Sequence, residues 1–311
     1  MRFTLRQLHV FVAIARLESV SRAAEQLAMS QSAASTSLAE LERHYDSPLF
    51  DRIGKRLALS ALGTELLPRA VALLDRAEEI EHLLQGHSGF GALQLGATLT
   101  IGNYLATPLL GHFMQAHPEC RVRLLVQNTR HIVQSIAQHT LDLGLIEGDC
   151  QHPDIEVTPW LDDELVVFCA PHHPLAKQQQ AGMDELINEA WILREQGSGT
   201  RLTFDQGMRH HTQPLTVRLE LEHTEAIKRA VESGLGIGCV SRLALRDALA
   251  RGSLVALATP ELDLRRRFSF IWHRQKYQSS AMREFVALCQ QLTAGVQRSD
   301  EWRIPDLIRT V

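Results

Sequence analysis

Ser19 to Arg52 reads SVSRAAEQLAMSQSAASTSLAELERHYDSPLFDR, and this stretch decides the fold of the N-terminal part. Ser19 or Ser21 can cap a short helix carrying Ala23, Ala24 and Leu27, and Ser30 can cap a second with Leu38 and Leu41 on its apolar stripe. Only Ala28 and Met29 lie between them, so the chain must turn sharply, and Ala24 lets the helices approach closely. The exposed start of the second helix carries Gln31, Ser32, Ala33, Ser35 and Thr36. Short, uncharged, hydrogen-bonding side chains suit a helix end that enters the major groove and addresses base edges. Composition alone fits an ordinary helical hairpin with a solvated face equally well, and the neighbouring segments decide between the two.

Upstream, Leu5, Leu8, Phe11, Val12 and Ala15 form the stripe of a first helix that packs behind the other two. Downstream, Leu49 to Leu59 reads as two short strands turning at Gly54-Lys55, with Arg52, Lys55 and Arg56 at or near the tip. A basic hairpin beside a helix-turn-helix is a wing, and its cations would grip phosphate. Leu5-Arg6-Gln7-Leu8 with Phe11, Ser21-Arg22-Ala23-Ala24-Glu25-Gln26-Leu27, Ser30-Gln31-Ser32-Ala33 with Ser35, and Leu49-Phe50-Asp51-Arg52 together resemble the LysR-type transcriptional regulators. The resemblance implies that Ser21, Arg22, Gln31, Ser32, Ser35, Thr36, Arg52, Lys55 and Arg56 face DNA. One departure is Tyr45-Asp46, where the family usually has Leu-Gly. Asp tolerates the left-handed conformation of a helix C-cap less well than Gly, so the turn is expected to be kept at a small cost.

Ser60 to Gly86 reads as one helix of about 40 Å at about 1.5 Å per residue. Leu66, Ala70, Leu73, Ala77, Ile80 and Leu84 alternate spacings of four and three, a heptad seam that a small winged domain cannot bury alone. A second copy of the chain is the expected partner, and packing on the chain's own downstream domain is the alternative. Glu78, Glu79 and Glu81 near its C-terminal end oppose the helix dipole.

Beyond a hinge at residues 87–91 the pattern becomes alternating strands and helices, which implies parallel strands with right-handed crossovers. Strands are expected at Ala92–Ala97, Arg121–Gln127, Leu141–Ile146, Glu164–Ala170, Trp191–Glu195, Thr216–Glu222, Gly236–Ser241 and Phe268–Trp272. With crossing segments near Leu161–Val167 and Pro260–Phe268, the two α/β lobes resemble a type II periplasmic-binding-protein fold, the effector domain of the LysR-type family. The expected organisation is a winged helix-turn-helix at residues 1–59, a linker helix at 60–86 and an effector domain at 92–295. Lobe I covers about 92–162 and 267–295, lobe II about 163–266, and residues 296–311 form a tail.

Ligands of open α/β lobes bind at the carboxyl ends of strands. Thr98, Thr100 and Ile101, then Asn128 and Thr129, then Glu147 follow strands of the first lobe. Arg194, Ser198, Thr200 and Arg201 surround a Gly-Ser-Gly-Thr loop in the second, and Glu225 follows a later strand. Two glycines and two hydroxyls at a helix start suit a small anion or carboxylate, although a tight turn with an N-cap has the same composition. Glu147 would repel an anion unless it is protonated, paired with Arg194 or Arg201, or accepting a proton from the ligand; alternatively it only anchors backbone N–H groups. Leu145-Ile146-Glu147-Gly148, Pro159 to Phe168, Trp191 to Glu195 and Glu225 to Lys228 resemble the YeiE and FinR branch of the family. That branch is associated with sulfur and iron metabolism and with sulfite, so the resemblance implies a sulfur oxyanion.

The remaining features exclude other classes. A net charge of -4 does not fit a general polyanion binder, although residues 1–60 carry eight cations against six acids. No apolar run reaches membrane-span length, and Arg2, Arg6 and His9 interrupt the N-terminus before any signal segment, so a cytoplasmic protein with no membrane partner is expected. The five cysteines have no metal or redox spacing, and the adjacent pairs His172-His173 and His210-His211 point apart on any regular element, so no metal or cofactor is expected. Ser198 does not sit in a Gly-x-Ser-x-Gly elbow, and Walker and Gly-x-Gly-x-x-Gly loops are absent, so an enzyme is not expected. The family resemblance further implies double-stranded operator DNA, a homodimer associating into a homotetramer, and RNA polymerase as partners.

Overall fold

The structure is a computed structural model that describes residues 2–303 apart from 54–55, 86–89, 179 and 212; of Arg52, Ile53 and Arg56 it describes the backbone alone. The first helix, α1 (Leu5–Leu17), starts at Thr4, whose Oγ1 accepts the Gln7 N–H while Gln7 Oε1 accepts the Thr4 N–H. Of the two candidate serines, Ser19 caps α2 (Val20–Gln26) by accepting the Arg22 N–H. Ser30 caps α3 (Gln31–Tyr45), and Asp46 ends it in the left-handed conformation (φ 47°). Strands β1 (Phe50–Ile53) and β2 (Arg56–Leu59) pair antiparallel with Ile53 opposite Arg56, which leaves residues 54–55 for the turn. Lys55 and the side chains of Arg52 and Arg56 therefore lie outside the described residues. Phe11, Ile14, Ala24, Ala34 and Leu41 fill the core between these elements.

Ser60 Oγ accepts the Gly63 N–H to start α4 (Ala61–Leu84). The seam read from the sequence divides in two. Ala70, with Leu67, Val71 and Leu74, packs onto the winged core, because the first half of the helix still has that domain beside it. Leu73, Ile80 and Leu84 are 40%, 60% and 84% exposed. Two acidic residues of the C-terminal half, Asp75 and Glu79, meet the effector domain. Glu79 accepts the Tyr277 hydroxyl and the Ser280 N–H, both at 2.8 Å, and so caps a second element instead of opposing its own helix dipole. Asp75 pairs with Lys276 at 2.6 Å, and Lys276 pairs in turn with Asp142 at 2.7 Å.

The effector domain runs β3 (Ala92–Ala97), α5 (Leu99–Ile101), a π-helical turn at Gly102–Ala106, α6 (Thr107–Ala116), β4 (Arg121–Val126), α7 (Thr129–Ala137) and β5 (Leu143–Glu147). The long strand β6 (Ile155–Cys169) then leads into α8 (Met183–Ile187), β7 (Ala190–Arg194), α9 (Gly199–Met208), β8 (Thr216–Leu221), α10 (Thr224–Glu232) and β9 (Ile237–Ser241). The remainder is α11 (Arg242–Ala250), β10 (Val255–Leu257), β11 (Arg265–His273) and α12 (Ser280–Leu292). Strand order is β4-β3-β5-β11-β6-β9-β7-β8, with β10 also on β6. Pairs β3–β4, β3–β5, β7–β8 and β7–β9 are parallel, as the alternating pattern requires. The lobes join along β6 and β11, which pair antiparallel from Arg265↔Glu164 to His273↔Ile155. Two expectations need correction here. Strand β6 begins nine residues before the Glu164 start read from the sequence, because Pro159 and the acidic run Asp162 to Glu164 mask a strand whose hydrogen bonds come from β11. Strand β11 likewise begins at Arg265, inside an arginine run, and not at Phe268.

His139 and His273 stack at 4.0 Å, with His139 buried and its Nδ1 without a hydrogen-bond partner among the described residues. Burial, with the charges of His273, Lys276 and Arg16, pushes His139 down to about 3. The folded form thus prefers neutral His139, so its stabilising contribution is complete above the unfolded value of about 6.5 and is lost as pH falls below it. Acidification from pH 6.5 to 5 is expected to cost about 2 kcal/mol through this group, at about 1.4 kcal/mol per unit. Urea unfolding of His139→Asn, which tolerates the same left-handed backbone (φ 55°), should give a flatter pH profile across that interval; an unchanged profile would assign the acid sensitivity elsewhere.

Candidate DNA-reading face and effector cleft

Ser21, Arg22, Gln31, Ser32, Ser35 and Thr36 are all exposed, on the outer face of α2 and the N-terminal half of α3. The opposite faces of the same helices bury Ala23, Ala24, Ala34 and Leu38, so the helix period separates the packed side from the free side. The Arg22 guanidinium donates to the Leu17 carbonyl, which holds it beside the turn, and Ser32 Oγ lies 3.0 Å from the capping Ser30 Oγ. The free ends of Gln31, Ser35 and Thr36 project from the first turns of α3.

In the effector domain, residues from both lobes converge on Glu147, at the end of β5 and 1% exposed. Its carboxylate accepts the Thr100 N–H (2.8 Å) at the start of the first-lobe helix and the Thr200 hydroxyl (3.1 Å) at the start of α9 in the second lobe. Arg266, from the crossing strand β11, completes the set: Nη1 lies 2.8 Å from Glu147 Oε2 and 3.0 Å from Thr200 Oγ1, and Nε lies 2.6 Å from Asp163. Burial alone would raise the Glu147 pKa; Arg266, then Arg194 and the threonine hydrogen bonds outweigh it and hold this carboxyl below its ordinary range. For Asp163, burial wins and pushes the value up, against Arg266 and the hydroxyls of Ser299 and Ser241. Arg266 Nη2 is buried and has no hydrogen-bond partner among the described residues.

The Gly-Ser-Gly-Thr loop is engaged by the opposite lobe. Gly199 N–H donates to Thr129 Oγ1 (3.0 Å), Arg130 N–H donates to the Gly197 carbonyl (3.1 Å), and Asn128 Nδ2 donates to Glu195 (3.1 Å). A side chain at 199 would place its Cβ 2.1 Å from the Glu147 carbonyl oxygen, so the closeness of the lobes requires glycine there. Ser198 Oγ caps α9 by accepting the Arg201 N–H, and Asn128 Oδ1 caps α7 in the same way. Thr98 Oγ1 lies 3.5 Å from the Leu145 carbonyl.

Four sequence-derived candidates lie differently from the picture of one shared anion pocket. Ile101 is fully buried in the first-lobe core among Leu105, Leu145 and Phe270. Arg194 pairs with Glu195 (2.8 Å), and Arg201 reaches away to Asp205 and Glu220 (both 2.9 Å), so the residue paired with Glu147 is Arg266 and neither of the two arginines offered for that role. Glu225 accepts from the Tyr104 hydroxyl and from Lys228 (2.7 Å), a contact that ties the π-helical turn of lobe I to α10 of lobe II. Arg266 falls outside that expectation because ligands are expected at the carboxyl ends of strands, whereas it is the second residue of β11, at its amino end. Its signal was present in the facing triplets Asp162-Asp163-Glu164 and Arg265-Arg266-Arg267, whose alternation sends only the middle pair inward.

The bacterial regulatory helix-turn-helix description of the lysR family matches residues 5–64, and the LysR substrate binding domain matches residues 86–294. The chain belongs to the LysR family of DNA-binding transcriptional regulators. Among relatives of this LysR regulator, the HTH-type transcriptional regulator YeiE of Escherichia coli is 42% identical over 93% of this chain and 98% of its own. A full-length OxyR variant from Pseudomonas aeruginosa shares the fold, with a TM-score of 0.71 at 22% identity over 94% of this chain and 96% of its own. The CcmR regulatory domain of Synechocystis, solved in complex with 2-PG, has a TM-score of 0.62 at 33% identity over 67% of this chain and 99% of its own. These matches assign the N-terminal unit to DNA and the two-lobed unit to an effector. No described helix is long and apolar enough to cross a membrane.

Proposed function

We propose that this regulator binds operator DNA as a dimer and that a small anion in the interlobe cleft, sulfite or a related sulfur oxyanion, changes that binding. The observation that carries the anion reading is the buried guanidinium of Arg266, with one nitrogen unpartnered, beside helix starts supplied by both lobes. Thr98, Ser198 and the unpaired Arg266 Nη2 would supply donors, Thr100 and Thr200 would add theirs on releasing Glu147, and Asn128 and Thr129 would close the opposite wall. The resemblance to the YeiE branch, together with the 42% identity to YeiE, supports sulfite as the first anion to try. An organic carboxylate is the second reading. It is favoured by the fact that the group now accepting from Thr100, Thr200 and Arg266 is itself a carboxylate, Glu147.

The exposed apolar half of α4, with Leu73, Ile80 and Leu84, supports dimerisation through the linker helix. The family resemblance extends this to a dimer of dimers and to RNA polymerase as a further partner, in the cytoplasm. An effector acts by binding one arrangement of the paired winged domains more tightly than another.

Selection of duplexes from a random library tests the DNA reading. Two inverted half-sites are expected, whereas a single site would contradict the dimer. On the selected DNA, Gln31→Ala should cost about 1–3 kcal/mol and relax the choice of base at one position. Arg52→Ala should instead weaken binding to every duplex and reduce the salt slope by about 1. Loss of sequence choice in the Arg52 variant with none in the Gln31 variant would reverse the assigned roles.

A further inference from the structure

Residues 298–302, beyond the matched substrate domain, pack where the crossing strands join the two lobes. Residues 299–301 form a 3-10 turn laid against β6, with Arg298 bridged to Asp162 on that strand. Trp302 is 2% exposed in the first-lobe core, where its Nε1 donates to the Leu292 carbonyl (3.1 Å). Its own carbonyl accepts from Arg246 Nη1 (2.9 Å) on α11 of the second lobe. Residues 298–302 therefore strap both lobes at the crossing strands. They also reach into the cleft through buried groups. Ser299, with no exposed surface, donates to Asp163 Oδ1 at 2.5 Å, and Ser241 donates to the same oxygen at 2.7 Å. The other oxygen, Oδ2, receives Arg266 Nε at 2.6 Å, and Arg266 Nη1 continues to Glu147 and Thr200.

We infer that Ser299 is a positioning residue for the effector response: through Asp163 it fixes the guanidinium of Arg266 that meets the effector. This inference rests on the anion reading of the cleft. The physical reason is that Asp163 must present one oxygen to Nε at a fixed angle. A carboxylate held by two hydroxyls on one oxygen and an arginine on the other cannot rotate without breaking a buried hydrogen bond. With the Ser299 hydroxyl removed, Asp163 keeps only Ser241 on that side, and Arg266 gains freedom to tilt away from Thr200. Ser299 thus sets how well the cleft is organised before an anion arrives.

The test follows binding of the full-length protein to its selected DNA while sulfite is titrated. Ser299→Ala should shift the half-response concentration about fivefold, the scale of one lost hydrogen bond. Affinity for DNA without sulfite should stay within about twofold, as expected of a site distant from the DNA-reading face. Ser299→Thr, which restores a hydroxyl, should return the midpoint towards wild type. A Ser299→Ala midpoint equal to wild type would overturn the inference. If the wild-type protein answers to no anion, the anion reading fails by itself, and the strap is judged by thermal unfolding of Ser299→Ala, Thr200→Val and the double variant. The two substitutions should then be non-additive, because both act on Arg266; strict additivity would overturn the link.

Discussion

Arg266→Met is expected to destabilise the effector domain by about 3–5 kcal/mol, the range for removing one partner from a buried charge cluster. The substitution keeps the apolar stem but strips the cation from Glu147 and Asp163, whose side chains are 1% and 0% exposed. Two buried carboxylates would then be left without their shared cation. At about 2–4 °C per kcal/mol for a domain of this size, the unfolding midpoint should fall by about 6–20 °C. Both acids would have raised folded pKa values in the variant, so the deficit should shrink as pH falls and the carboxyls protonate. Arg266→Lys keeps the charge but cannot serve Asp163 and Glu147 with separate nitrogens in one plane, so an intermediate loss is expected. A Met variant within about 1 kcal/mol of wild type would mean that the cluster is charge-neutral in effect and not the organising group of the cleft.

Lys276→Met carries the second large effect, and its consequence lies outside the cleft. The Lys276 side chain is 3% exposed and is shared by Asp75 of the linker helix and Asp142 of lobe I. Burial depresses its pKa, but Asp142 and Asp75 outweigh this and raise it above the usual lysine value. Its removal should cost about 3 kcal/mol or more, because Asp75 and Asp142 lose their shared cation. Asp142 Oδ2 also accepts the Gln94 N–H (2.7 Å), so the first strand of the lobe would feel the loss as well. Hydrogen exchange in the 274–280 segment and the second half of α4 should rise in the variant, while exchange in lobe II stays unchanged. Exchange confined to the immediate neighbours of residue 276 would show that Glu79, with its two hydrogen bonds to Tyr277 and Ser280, holds the linker alone.

Much of this molecule is legible in the sequence where local chemistry dictates local structure. Ser19, Ser30 and Ser60 cap the helices that their positions announce, and Asp46 takes the left-handed turn in place of glycine. The parallel lobes follow from the alternation of apolar strands and amphipathic helices. What was not legible depends on contacts between distant segments. Strand β6 looks like a loop before Glu164 because its pairing comes from β11, over a hundred residues away. Glu79 looks like an unfavourable charge on its own helix until Ser280 and Tyr277 supply donors. Arg194 and Arg201 are close to Glu147 along the fold's logic, yet each finds a nearer acid, in Glu195 and in Asp205 with Glu220. The tail carries no periodicity at all, and only Trp302 hints that it has a buried place.

The most direct measurement is thermal unfolding of the purified protein against sulfite, sulfate, thiosulfate and a set of small carboxylates at equal ionic strength. Binding to the folded state alone raises stability by about 2.7 kcal/mol at a hundredfold excess over Kd. A rise of several degrees with sulfite, smaller with the other anions and lost in Thr200→Val, is the expected result. A panel in which no anion moves the midpoint would contradict an anion-controlled cleft, and a rise confined to carboxylates would replace sulfite with the organic effector.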